Sequence, residues 1–235
     1  MDIQAYIDAD AAARSEAKAH ILRQIEAARL KPPSHLVHND EEYGVIFEGM
    51  TIARYMPWRA PHNYRTALSA DRLYMIRQFA RLAPTGVVYE LGVFSGGVSR
   101  MLLDMGREVF AFDTFEGIRG AGPHDLHKDG DYCAAGDVAA YLEGATIVKG
   151  TLPNTLIGRW EHPAFVHIDL DVYAPTRESL ILLWPRMLPG GIIVLDDFGF
   201  WTTPGVRHAA EVFVNDYCAK SVYLPTGQLV IFKDG

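Results

Sequence analysis

Val87-Val88-Tyr89-Glu90-Leu91-Gly92-Val93-Phe94-Ser95-Gly96-Gly97-Val98-Ser99 decides the fold: an apolar run ends in an acid and then turns into glycines. Its start, rich in β-branched and aromatic residues, reads as a buried parallel strand, and the Gly/Ser segment leads into a helix over Val98 to Met105. Glycine at Gly92, Gly96 and Gly97 lets backbone approach a ligand, and the helix start behind them offers unpaired N–H groups.

Glu90 narrows the ligand. A carboxylate at a strand tip repels a pyrophosphate but suits a positive group such as an amino acid's ammonium. The spacing Glu-x-Gly-x-x-x-Gly-Gly also differs from the Gly-x-Gly-x-x-Gly of dinucleotide binders. The stretch therefore reads as a loop for S-adenosylmethionine (SAM), with Glu90, Gly92, Ser95, Gly96, Gly97 and Ser99 as candidate contacts. A lone glycine-rich turn is weak evidence, since many α/β proteins need one to bring strand and helix together. The next strand strengthens it: Glu108-Val109-Phe110-Ala111-Phe112 runs into Asp113, an acid placed for the two hydroxyls of a ribose. Thr114 and Phe115 just beyond it, Gly150 and Thr151 after the third strand, and Asp169 after the fourth complete the expected cofactor contacts.

Strands and helices alternate from Val87 onward. Ala145 to Val148 is the third expected strand, Asn154-Thr155-Leu156 opens a helix, and Ala164 to Ile168 is the fourth strand. A helix from Thr176 to Met187 ends at Pro189-Gly190-Gly191, and Ile192 to Leu195 is the fifth strand. Pro204 to Tyr217 is helical, and Lys220 to Leu224 with Leu229 to Phe232 forms a closing hairpin. This is a doubly wound, mostly parallel seven-stranded α/β sheet, Rossmann-like, of the class I SAM-dependent methyltransferase kind. Such sheets bind ligands outside the carboxyl ends of their strands.

Residues 69–235 make up that domain, with Ser69 as the N-cap of a helix that carries Leu73, Ile76, Phe79 and Ala80. Residues 1–68 read as an extension: helix from Asp2 to Leu30, stopped by Pro32-Pro33, then an irregular aromatic stretch that serves as a lid or packs on the main domain. The Gly/Pro/His/Asp-rich run from Arg119 to Asp131 reads as a surface loop at the ligand end of the sheet.

A chain of 235 residues with 49% hydrophobic and 22% charged residues is ordinary for a globular protein. Its net charge of −7 and the absence of a Lys/Arg block exclude a general polyanion binder, so nucleic acid is not the expected partner. Cys133 and Cys218 form no Cys-x-x-Cys pattern and read as free thiols of a reducing cytoplasm. The N-terminus lacks a basic start with an apolar core, and no run approaches the roughly 20 apolar residues that span a bilayer, so no membrane partner is expected.

Asp169, Asp196 and Asp197 follow the fourth and fifth strands. If those strands are neighbours, about 5 Å apart, the three carboxylates converge. Each like-charged pair at about 4 Å costs on the order of 4 kcal/mol at an effective dielectric near 20. Either protons are taken up or a divalent cation sits among them, and an all-oxygen set favours Mg²⁺ or a similar hard ion. Singly, each aspartate has the alternative of capping a turn. Asp171, two residues past Asp169, faces the methyl as a general base instead of a ligand. His208 and His62 are fallback bases.

The motifs Glu90-Leu-Gly-Val-Phe-Ser-Gly-Gly, Phe112-Asp-Thr-Phe-Glu-Gly, His167-Ile-Asp-Leu-Asp-Val-Tyr and Trp184-Pro-Arg-Met-Leu-Pro-Gly-Gly-Ile-Ile-Val-Leu-Asp-Asp-Phe together resemble the macrocin O-methyltransferase family. These are SAM- and metal-dependent enzymes that methylate sugar hydroxyls of antibiotics and other glycosylated natural products. The resemblance implies Mg²⁺ on Asp169, Asp196 and Asp197, Asp171 as base, Glu90 and Asp113 on SAM, a sugar or glycosylated acceptor, and a homodimer or larger homo-oligomer. A catechol-type O-methyltransferase is the rival enzyme, but it pairs Asp with Asn at the second ligand position and uses a lysine base, where this chain has Asp196-Asp197 and Val172-Tyr173. A non-catalytic nucleoside-binding protein on the same fold is the rival of another class.

Overall fold

The computed structural model describes residues 45–47, 50–52, 64–134 and 136–235. The expected helix from Asp2 to Leu30, and His62 with it, lie outside the described residues. Within the stretch expected to be irregular, β1 (Val45–Phe47) and β2 (Met50–Ile52) pair antiparallel, with Val45 opposite Ile52. The runs Val-Ile-Phe and Met-Thr-Ile are β-branched enough to pair, but three residues are too few to show an alternating pattern.

The main sheet has seven strands. In chain order they are β3 (Val88–Leu91), β4 (Val109–Asp113), β5 (Thr146–Lys149), β6 (Phe165–Ile168), β7 (Ile192–Leu195), β8 (Lys220–Tyr223) and β9 (Leu229–Phe232). Their spatial order is β5-β4-β3-β6-β7-β9-β8, parallel throughout except for the β9 and β8 pairings. The helices are α1 (Ala70–Leu82), α2 (Gly97–Asp104), α3 (Val138–Tyr141), α4 (Tyr173–Leu183) and α5 (Pro204–Tyr217).

Every residue of β3, β6 and β7 is buried, because helices cover both faces of the sheet. Alternation sorts the side chains: Tyr89, Leu91, Val166 and Ile168 join the core beneath α4 and α5, while Val88 and Phe165 join the core beneath α1 and α2. Each such residue contributes roughly 1.5–3 kcal/mol of burial. Among the described residues no helix is long and apolar enough to cross a membrane.

Two expected helices differ. Asn154–Leu156 is a single 3₁₀ turn and no helix follows it, because Gly150, Pro153, Gly158 and Pro163 punctuate the link between β5 and β6. Helix α4 starts at Tyr173, earlier than Thr176. Pro175 is tolerated in the first turn, where its missing N–H is not needed, and Thr176 turns its hydroxyl back to the Val172 carbonyl at 2.7 Å.

The chain runs β3-β4-β5 to one side and returns to β6 on the other side of β3. The order therefore reverses between β3 and β6, where a crevice opens at the carboxyl ends of the strands. Glu90, Gly92, Asp113 and Asp169 all sit at that end.

Candidate functional site

At the crevice lies a cavity of about 250 Å³, walled by the tips of β3, β4, β5, β6 and β7. Of the residues expected to touch a cofactor, Glu90, Gly92, Gly97, Asp113, Thr114, Gly150, Thr151 and Asp169 line it. Ser95, Gly96, Ser99 and Phe115 do not line it, and each of the last three has another task. Gly96 takes φ +92 as the N-cap of α2. The Ser99 hydroxyl donates to Glu90 Oε2. The Phe115 N–H donates to Asp113 Oδ1 at 2.6 Å.

Asp113 holds more than the sequence reading expected. Its Oδ2 accepts from the N–H groups of Val93 and Phe94 at 2.6 and 2.8 Å. With Phe115 on the other oxygen, one carboxylate organises both loops, and Phe94 is kept at φ +50. Gly92, at φ +86, has no room for a side chain, since a Cβ there would overlap the Asp169 carbonyl. The Asp169 N–H in turn donates to Leu91 O at 2.8 Å, so β3 and β6 are fastened where the crevice opens.

Glu90 is 2% exposed. Burial pushes its carboxyl well above the usual range, with the Asp169 and Asp113 charges adding to the rise and the Ser99 hydroxyl opposing it. His167, unremarked in the sequence beyond its place in a motif, lies between Glu90 and Asp196, with Nδ1 4.0 Å from Glu90 Oε1 and Nε2 3.8 Å from Asp196 Oδ1. Burial lowers it to about 4, which keeps the ring neutral between two acids.

Strands β6 and β7 are neighbours, with Ile168 opposite Leu195, so the aspartates beyond them meet as expected. The membership of the cluster differs, however. Asp169, Asp171 and Asp197 each place a carboxylate oxygen within 4.8 Å of the other two. The Asp171 N–H also donates to Asp197 Oδ2 at 3.2 Å, with Asp171 itself at φ +62. Burial first, then the Asp169 charge, pushes Asp171 up to about 7 and Asp197 well above its ordinary value.

Asp196, expected beside Asp169 and Asp197, faces the other way. Its Oδ1 accepts from Gln228 Nε2 at 2.7 Å and its Oδ2 meets the Arg72 guanidinium. Arg72 reaches it from α1 while covering the Phe200 ring at 4.6 Å. This orientation has a simple cause. Adjacent residues leave a strand end in different directions, and in the 3₁₀ turn Asp196–Gly199 only Asp197 is aimed at the cavity. Asp169 still has one oxygen within 4.8 Å of Asp196 and of His167, so Asp169 stands between the two acids.

His208 stacks on Tyr173 at 5.4 Å and 18°, outside the cavity wall. The expected surface loop does reach the site: its Arg119 and His127 line the cavity, with Gly117, Ile118 and Tyr132 from just outside its bounds. It is anchored by Asp125, whose Oδ1 accepts from the Tyr173 N–H at 2.8 Å. Arg65 to Leu68 form a further wall, and a Cβ at Gly97 would meet Thr66 Cβ at 2.6 Å and Arg65 O at 2.7 Å. No sequence signal marked Arg72 or Tyr132, because long-range packing alone brings them in, whereas Arg65 lies in the stretch read as a lid or packed extension.

The sheet order, the reversal between β3 and β6 and the acid-lined cavity define the class I SAM-dependent methyltransferase fold. Residues 89–198 match a family described as a methyltransferase domain, and the motifs behind the family resemblance all fall inside that stretch. A Streptomyces olivaceus protein, 8-demethyl-8-(2,3-dimethoxy-alpha-L-rhamnosyl)-tetracenomycin-C 4'-O-methyltransferase, is 32% identical over 143 residues, 48% of this chain and 53% of the relative. The chain thus matches about half the length of that curated relative. The O-methyltransferase NovP superposes with a TM-score of 0.63 at 22% identity, over 74% of this chain and 84% of NovP. CalS11, a calicheamicin methyltransferase, gives 0.57 at 24%, over 69% and 76%.

Proposed function

We propose that the chain is a SAM-dependent, divalent-cation-dependent O-methyltransferase acting on a sugar hydroxyl of a glycosylated natural product. The observation that carries the reading is the convergence of Asp169, Asp171 and Asp197 in the same cavity as Glu90 and Asp113. The likeness to a rhamnosyl 4'-O-methyltransferase supports the sugar as acceptor.

The carboxylate trio fits a hard divalent ion. The donors are all oxygens, two of the three acids are pushed towards holding protons, and the nearby Arg72 is engaged by Asp196. Asp169 and Asp197 are the residues that would hold the ion. Asp196 could join them only if Arg72 released it. Bound there, the ion supplies positive charge that lowers the cost of ionising an alcohol.

Glu90 holds the ammonium of the methionine part, and the Asp113 carboxylate, fixed by three N–H groups, faces the ribose. Gly92 and Gly97 keep the cofactor close to backbone. Asp171 accepts the acceptor's hydroxyl proton as that oxygen displaces the sulfonium, a role worth about 10²–10⁴ in rate. The Arg65–Leu68 wall acts as part of a lid that keeps both substrates at reacting distance.

Burial pushes the Glu90 carboxyl upward and a bound ammonium draws it down again, so pairing releases the proton that burial favours. Affinity for S-adenosylhomocysteine therefore rises with pH until the free Glu90 carboxyl ionises by itself, and levels off above that point. Calorimetry in two buffers of different ionisation heat checks this: binding releases a proton in the wild type and none in Glu90→Gln.

The function is tested by methyl transfer from SAM to TDP-rhamnose and to a rhamnosylated polyketide, with and without chelator. The expected result is transfer that chelator abolishes and added Mg²⁺ restores. Transfer unaffected by chelator removes the cation from the reading, and no transfer to either acceptor removes the sugar.

A further inference from the structure

One aromatic side chain lines the same cavity as the carboxylate trio and, among the described residues, has no partner for its polar end. Tyr132 lines the cavity and is 51% exposed, the posture of a residue that meets a ligand and not of one that fills a core. Its backbone sits at φ +55, a conformation that bulky residues adopt only where surrounding structure holds them. The holding structure is explicit. Ile118 N–H donates to Asp131 O at 2.8 Å and Gly130 N–H to Ile118 O at 2.9 Å, closing the loop just before Tyr132. Gly117 seals the closure, since a Cβ there would lie 2.5 Å from Asp131 O.

The ring is also fixed in direction. Phe94 meets it edge-on at 6.4 Å and 89°, and His127 at 5.4 Å and 64°. Phe94 belongs to the loop that Asp113 organises, so the ring that meets Tyr132 is itself held in place. Burial first, then the charges of Asp171, Asp197 and Asp169, hold the phenol above its ordinary value. The group is therefore a neutral O–H. Among the described residues that hydroxyl has no hydrogen-bond partner.

We propose that Tyr132 binds the acceptor sugar, laying its ring along the sugar's apolar face and donating its hydroxyl to an oxygen beside the one that Asp171 deprotonates. The proposal rests on the sugar O-methyltransferase reading and deepens it by assigning the acceptor side of the site. An aromatic ring with one polar end suits a pyranose, which has C–H surface and hydroxyl edges. A rigid ring also loses little conformational freedom on binding.

Wild type, Tyr132→Phe and Tyr132→Ala, each saturated with S-adenosylhomocysteine and Mg²⁺, are titrated with TDP-rhamnose and with methyl α-L-rhamnopyranoside, read by saturation-transfer NMR. Calorimetry of S-adenosylhomocysteine binding runs alongside. Sugar affinity is expected to fall roughly threefold to tenfold in Tyr132→Phe and more than about tenfold in Tyr132→Ala. Cofactor affinity should stay within about twofold, which also shows that both variants fold. The nucleotide-linked and simple glycoside arms distinguish a carrier-bound sugar from a finished glycoside. Unchanged sugar affinity in Tyr132→Ala overturns the inference alone. A parallel loss of cofactor affinity overturns it by assigning Tyr132 to the cofactor. Failure of both sugars to bind a wild type that binds S-adenosylhomocysteine overturns the sugar reading and this inference together.

Discussion

Asp171→Asn is expected to lower kcat by about 10²–10⁴-fold while leaving the affinity for S-adenosylhomocysteine within about twofold. Asparagine preserves the volume and the backbone N–H that Asp171 gives to Asp197 Oδ2. It removes the carboxylate that takes the proton. The variant should also be at least as stable as the wild type, since Asp171 is an acid forced upward by burial and by the Asp169 charge. Steady-state kinetics with thermal unfolding reads both effects. A variant that keeps kcat within about threefold of the wild type would show that the proton leaves by another route.

Asp197→Asn is expected to abolish the response to divalent cations. With Mg²⁺ at about a hundredfold over its dissociation constant, linkage stabilises the wild type by about 2.7 kcal/mol. For a chain of this size that is a rise in Tm of roughly 5–10 °C. The variant should show almost no rise. Without any cation the order reverses, and Asp197→Asn should melt at or above the wild type, because a buried carboxylate repelled by Asp169 and Asp171 has been neutralised. That reversal separates a cation site from a merely structural aspartate, whose loss would lower Tm under both conditions.

The sheet was legible because its strands are short apolar runs that end in acids and glycines. Val87 to Ser99 and Ile192 to Asp197 each name both a strand and its ligand end. The helix expected after Asn154 failed because three polar and apolar residues were weighed without the prolines and glycines around them. The convergence of β6 and β7 at their tips was conditional in the sequence on the two strands being neighbours, which their pairing bears out. Which of Asp196 and Asp197 enters the cavity was not legible, since that depends on a 3₁₀ turn and on Arg72 arriving from a helix more than a hundred positions earlier. Tyr132 was silent for the same reason: it lies in a stretch without periodicity, and only tertiary contacts bring it to the wall. Asp113 ends its strand as read, but its hold on three N–H groups was not legible, because such a carboxylate looks in sequence like any acid at a strand end.

The account stands on a divalent ion between the ends of β6 and β7, beside the methyl donor. A crystal structure of the wild type with S-adenosylhomocysteine and Mn²⁺, read by anomalous scattering, tests this most directly. The predicted result is a single strong peak within coordination distance of Asp169 and Asp197, next to the cofactor's sulfur and open towards Tyr132. A cofactor bound on Glu90 with no ion between those two aspartates would contradict it.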